Sequence, residues 1–278
     1  MSRPGALALL AVALVLALGI AACQTNTQQL PYNGTYGFRI VLQNNPDAVD
    51  PTWDQVASFL KVDRMDEMEY IADDFMCGSF AQTIHNNAEK AGIRAAWVGI
   101  DLVGEPVGHA VNAFNTTDRG LVYTDSTGQT AQAYEMALLK LESTEDGSSV
   151  TAPDGDRVAY VEKGRDLGFI SLSLNPYPEY AYYEDYSIKR REFEAKLTNF
   201  NSKVQAYNAE VEEFNRRVGG TTFIAGSNEA LRAAEWKGQL QMSLYLLKSE
   251  EAGLDSEKEI LGPIWKPMGI VSNIDIRW

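Results

Sequence analysis

The sequence predicts an α+β protein in which a cysteine-bearing helix packs on an antiparallel sheet, followed by a long helical hairpin. Three observations carry that prediction. Phe80, Ile84, Ala88 and Ala91 recur at helical spacing just after Cys77. Two strand-like runs, residues 109–115 and 121–127, flank the turn sequence TTDRG. Phe193, Leu197, Phe200, Val204, Tyr207, Val211, Phe214 and Val218 follow a 4-3-4-3-4-3-4 spacing, which is an a/d heptad seam.

Composition narrows the possibilities first. A chain of 278 residues that is 45% hydrophobic can bury a sizeable core in one or two domains. A formal net charge of -14 argues against nucleic acid, whose phosphates it would repel. No residue pattern calls for a cofactor.

The N-terminus reads as a targeting segment. Arg3 precedes an apolar run over 6–20, and Ile20-Ala21-Ala22-Cys23 precedes polar Gln24. These are the parts of a secretory signal peptide over 1–22. The junction resembles a lipobox, which implies cleavage before Cys23 and lipid attachment to its sulfur. An uncleaved membrane anchor is the competing reading. Either way the rest of the chain is expected outside the cytoplasm, tethered to the cell membrane. Residues 23–36 lack periodicity and read as the tether. Lipidation of Cys23 leaves Cys77 as a single extracytoplasmic thiol, which is either reactive or packed as a small hydrophobe.

Elements then follow in order. Residues 37–43 read as a first strand. Asp50-Pro51 reads as an N-cap with proline at the first helical position, leading a short helix through Trp53, Val56, Phe59 and Leu60. Residues 61–70 read as a connecting loop. The next helix begins at Met76 or Cys77 and stops at Gly92, which places the thiol in its first turn. There the free backbone N–H groups and the macrodipole favour a thiolate. His85 sits about 12 Å further along that helix, too far to serve as its base. His109 is therefore the only imidazole left for that role. Residues 93–102 read as a buried strand. A hairpin closed at Asp118-Arg119 brings Asp125 opposite residue 111 or 112, one diagonal step from His109. A one-residue slip would turn Asp125 to the other face. A metal site of Cys77, His109 and Asp125 is disfavoured, because three unlike ligands suit a triad better than zinc.

Cysteine at a helix start, then GIRAAWV, Gly-His-Ala and GLVYTDST, resembles the transglutaminase-like branch of the papain-type cysteine peptidase superfamily. The resemblance covers about residues 50–130. It implies a papain/transglutaminase-like core, with Cys77 as nucleophile, His109 as general base and acid, and Asp125 orienting the imidazole. It also implies a peptide or protein substrate, attacked at an amide through a thioester. Hydrolysis is favoured over transfer by open water access, although the residues do not separate the two. A cell-envelope substrate is a guess from location. The transglutaminase-like domain is placed over 37–150.

Residues 131–155 read as a helix followed by a loop. Residues 151–278 are expected to form a small β unit with an inserted helical hairpin over about 184–252. In it, residues 157–174 make a β-hairpin around Lys163-Gly164-Arg165. The heptad helix ends at Gly219-Gly220. A second helix starts at Ser227, with Trp236, Leu240, Leu244 and Leu247 on one face. The favoured reading is an intramolecular antiparallel pair; the alternative is a coiled coil between copies or with a protein partner. The alternating terminal strand over 270–278 is expected to join the 157–174 hairpin. A non-catalytic surface scaffold that grips a partner with this arm is the alternative to the enzyme.

Overall fold

The computed structural model describes residues 26–33, 37–68, 71, 76–127 and 155–278. The signal segment, Cys23 and nearly all of the helix and loop expected over 131–155 lie outside these residues. The fold is α+β. A six-stranded antiparallel sheet runs in the order β7 (Gly168–Ser171), β6 (Arg157–Tyr160), β5 (Gly120–Asp125), β4 (His109–Thr116), β3 (Ala96–Leu102), β8 (Val271–Arg277), and a separate two-stranded sheet pairs β1 (Asn26–Asn33) with β2 (Arg39–Asn44).

Residues 26–33 are not tether. Asn26–Asn33 forms strand β1, which pairs antiparallel with β2, Arg39–Asn44. Polar residues dominate β1, but Leu30 is buried against Ile40, Leu42, Ala81 and Trp97, and that contact fixes it. The outer edge of β2 is closed by side chains. Gln82 and Asn86, one turn apart on helix α2 (Cys77–Lys90), accept from the Val41 and Gln43 amides at 3.0 and 2.8 Å. Asn86 also donates to the Val41 carbonyl. An exposed strand edge is thereby blunted by a helix.

Helix α1 spans Trp53–Asp63. Its N-cap is Thr52 rather than Asp50, because Thr52 and Gln55 form a reciprocal capping box that satisfies two end amides. Asp50 instead accepts from Asn115, and Asp118 at the hairpin tip accepts from the Trp53 amide at 2.8 Å. The β4–β5 turn is thus locked to the start of α1. The loop expected over 61–70 is in part the last turn of α1, followed by a 3-10 turn at Met65–Glu67.

Strands β3 (Ala96–Leu102), β4 (His109–Thr116) and β5 (Gly120–Asp125) form the sheet centre. β6 (Arg157–Tyr160) and β7 (Gly168–Ser171) extend it beyond β5. Strand β8 (Val271–Arg277) pairs with β3 from Trp97 to Leu102. Only its start meets the 157–174 hairpin: the Gly164 and Leu167 amides donate to the Val271 and Gly269 carbonyls, the Val271 and Met268 amides donate to the Arg165 and Leu167 carbonyls, and Ile270 bridges Asp166. The anticipated separate β unit is therefore absorbed into one sheet. The reason is that β3 and β5 each leave a hydrogen-bonding edge that a further strand can satisfy.

One face of the sheet packs on α1, α2 and the base of the helical arm, through Trp53, Phe80, Ile84, Phe114, Tyr183 and Phe193. The other face gathers Val98, Val111, Ala159, Phe169, Trp265 and Val271. The arm is α3 (Tyr180–Val218) and α4 (Asn228–Leu261). It is an antiparallel pair within the chain, cross-linked by Lys196–Glu257 and Lys203–Glu250 ion pairs and by Phe214 against Trp236. Leu244 does not lie in the seam; Ser243 is the half-buried residue there, and Leu244 is 38% exposed.

Candidate active site

Cys77 is the first residue of α2 and retains partial exposure. The helix starts here because Met76 is still extended and its carbonyl takes the Ser79 and Phe80 amides at 2.8 and 3.2 Å. Met76 makes no side-chain capping bond, and the first amides of a helix have no intrahelical acceptor. Two contacts pin the first turn. The Trp97 indole donates to the Gly78 carbonyl at 3.2 Å. Buried Asn112 on β4 donates to the carbonyls of Ala81 and Ala96, tying the helix to the sheet.

His109 opens β4. Gly108 before it lies so close to β3 that a Cβ there would sit 2.1 Å from the Ile100 carbonyl oxygen. Only glycine permits that approach, and it fixes where the imidazole enters the site. The β4–β5 register pairs Asn112 with Thr124 and Thr116 with Gly120. That is the register expected from the turn, and it leaves Asp125 one diagonal step from His109. The His109 Nε2–H donates to Asp125 Oδ2 at 2.9 Å, and Nδ1 is the nitrogen left for the thiol. The Cys77 side chain is hydrogen-bonded to the same imidazole. The structure therefore brings all three candidate residues together. An edge-on contact with Phe169, ring centroids 5.9 Å apart, holds the ring plane.

Asp125 is nearly fully buried and fully used. Oδ1 accepts from the Thr127 amide at 2.8 Å, and Oδ2 accepts from both His109 and Arg157 Nη2, the latter at 2.8 Å. Arg157 opens β6 directly opposite Asp125 in the ladder. Its guanidinium is 1% exposed and lies over the rings of Phe169 and Trp265. Arg157 carries no motif in the sequence. An arginine at the head of a strand is legible, but its pairing with β5 spans the residues between them and leaves no local signal.

The charges form an alternating row: thiolate, imidazolium, carboxylate, guanidinium. Burial works against every one of them and is outweighed at three. The Cys77 thiol would be raised by burial but is pulled below its ordinary range by imidazolium, with help from the Ala110 amide. Burial would likewise depress His109, yet the Asp125 carboxylate and then the thiolate lift it to about 10. Against its own burial, Asp125 is held far below the usual carboxylate range by Arg157 and His109. Both shifts favour the thiolate–imidazolium pair over the neutral thiol and imidazole.

His85 is elsewhere and does something else. It is fully buried on α2, bonded through Nε2 to Asn44 at 3.1 Å, and burial pushes it down to about 4. It is a neutral packing residue. No group of three or more His, Cys, Asp and Glu side chains suited to a metal ion occurs among the described residues. No protein-family model, curated protein or solved structure matches this chain.

Proposed function

We propose that this chain is a lipid-anchored, extracytoplasmic cysteine enzyme of transglutaminase-like type that acts on peptide or side-chain amides. One observation carries the reading: a single imidazole sits between a thiol at a helix start and a buried carboxylate. The Cys77 thiolate attacks the amide carbonyl carbon, and the oxyanion that forms is received by the Cys77 and Gly78 amides. The His109 imidazolium then gives its Nδ1 proton to the nitrogen, the C–N bond breaks, and the amine leaves with a thioester behind. Water adds to the thioester while His109 takes its proton. The C–S bond breaks, releasing acid and thiolate. Asp125 keeps Nε2–H donated and the ring turned toward sulfur.

The sequence Ile20-Ala21-Ala22-Cys23 supports the lipid anchor and the extracytoplasmic location. No described helix is long and apolar enough to cross a membrane. The alternative, a non-catalytic scaffold that binds through the arm, draws on the exposed apolar residues of α4.

The test is alkylation of Cys77 by iodoacetamide, followed by intact mass across pH. The native thiol should react at neutral pH faster than the same thiol in the denatured chain, and His109→Gln should abolish that advantage. A thiol that alkylates only on unfolding would remove the catalytic reading and leave the scaffold.

A further inference from the structure

The heptad seam of the arm is used up inside the chain, yet α4 carries a second stripe that nothing described covers. Leu231, Glu235, Gly238, Met242, Tyr245, Ser249, Gly253, Ser256 and Ile260 recur at three- and four-residue steps, and all nine are exposed. Glu235 is the one charge among them. The apolar members stand far out of the protein: Leu231 61%, Met242 60%, Tyr245 70% and Ile260 78% exposed, with Leu246 beside them at 59%. Two features of this stripe have no cause among the described residues. Gly238 and Gly253 sit in the middle of a 34-residue helix, where glycine is disfavoured relative to alanine. A Cβ at either position would meet nothing within 4 Å. Neither a turn nor a close contact with another described residue requires them.

We propose that the occupant is a second copy of this chain, packed antiparallel along α4 about a two-fold axis between Tyr245 and Leu246. The stripe is self-matching about that point. Gly238 falls opposite Gly253 of the partner subunit, Leu231 opposite Ile260 of the partner subunit, and Met242 opposite Ser249 of the partner subunit. An isologous interface pairs residue i with j and j with i, as these positions do. Glycine facing glycine lets two helix axes approach at the close end of the usual 8–10 Å range.

Charge points the same way. The chain carries a net -14, which repels a like copy over most of its surface. Along the proposed contact itself, residues 231–260 carry four Lys and Arg against six Asp and Glu, a net -2, so most of the chain's negative charge lies away from the interface. The stripe is about 44 Å long and about 10 Å wide, a footprint on the order of 450 Å² per copy. That lies at the low end for specific association and corresponds to a reversible dimer.

The experiment uses the full-length chain carrying Cys23→Ser and Cys77→Ser, with Gly238→Cys or Gly253→Cys added. In the antiparallel dimer, like positions are about 22 Å apart along the axis, while unlike positions face each other. A disulfide-linked dimer should form when the two variants are mixed under oxidation and not from either alone. In sedimentation equilibrium the unaltered chain should approach twice the monomer mass as concentration rises. Gly238→Glu should stay monomeric with undiminished helical circular dichroism, since open helix positions tolerate Glu. An unaltered chain that is monomeric at every concentration overturns the proposal. So does a disulfide from Gly238→Cys alone, which marks a parallel pair.

Discussion

Replacing Arg157 with Met tests the buried charge row without reference to activity. The pair it forms with Asp125 is weak evidence for stability by itself, because desolvating two charges offsets most of their attraction. Breaking the pair is different. Removing one partner of a buried pair costs about 3–5 kcal/mol, since the other charge is left uncompensated. Asp125 would keep the His109 imidazolium at 2.9 Å and the Thr127 amide at 2.8 Å. The expected cost is therefore at the lower end, about 3 kcal/mol, which for a chain of this size lowers Tm by roughly 6–12 °C. Asp125→Asn leaves Arg157 in the same position and should cost a similar amount. Combining both substitutions removes the stranded charge, so the double variant should be less destabilised than the two singles added, by about 2 kcal/mol. Calorimetry or denaturant melts of the four proteins at pH 7 read the cycle. A further sign is available at high pH. Once His109 loses its proton near pH 10, Asp125 has no second counterion and the cost of Arg157→Met should grow. Strictly additive single effects, or a Tm change under about 2 °C for Arg157→Met, would refute the reasoning.

Two further outcomes rest on the same geometry. The His109 value in the folded chain, about 10, lies above its unfolded value near 6.5, so its contribution to stability is fully present below pH 6.5 and is lost as pH rises through 10. Melts of the unaltered chain and His109→Gln should therefore differ most below pH 6.5 and converge above 10; a gap that widens with pH would contradict the ion pairing. Gly108→Ala places a Cβ 2.1 Å from the Ile100 carbonyl oxygen and must push β4 off β3, costing about 1–3 kcal/mol and slowing Cys77 alkylation at pH 7. A Gly108→Ala variant that alkylates at the unaltered rate would show that the close approach does not position His109.

Much of the site was legible because it is local. Cys77 at a helix start follows from the Phe80, Ile84, Ala88 face and from Gly92, and α2 begins at that residue. The relation of Asp125 to His109 follows from the turn, since a short hairpin leaves one register and Gly120 supplies its positive φ. The heptad spacing from Phe193 to Val218 announced α3, and Ser227 announced the start of α4. Other readings failed where a non-local contact outweighed local pattern. Residues 26–33 look featureless until Leu30 is buried under α2 and β2. Asp50 looks like a cap until Thr52 and Gln55 satisfy the same amides better.

Dihedral preference, capping and turn chemistry within a few residues suffice for the periodic elements, for the cysteine at the head of α2 and for the hairpin that sets Asp125 beside His109. The pairing of β8 with β3, the strand character of β1 and the closure of Arg157 on Asp125 come from the folded chain alone. Those contacts join segments distant in the sequence, and their choice depends on which open strand edge and which buried charge remain to be satisfied.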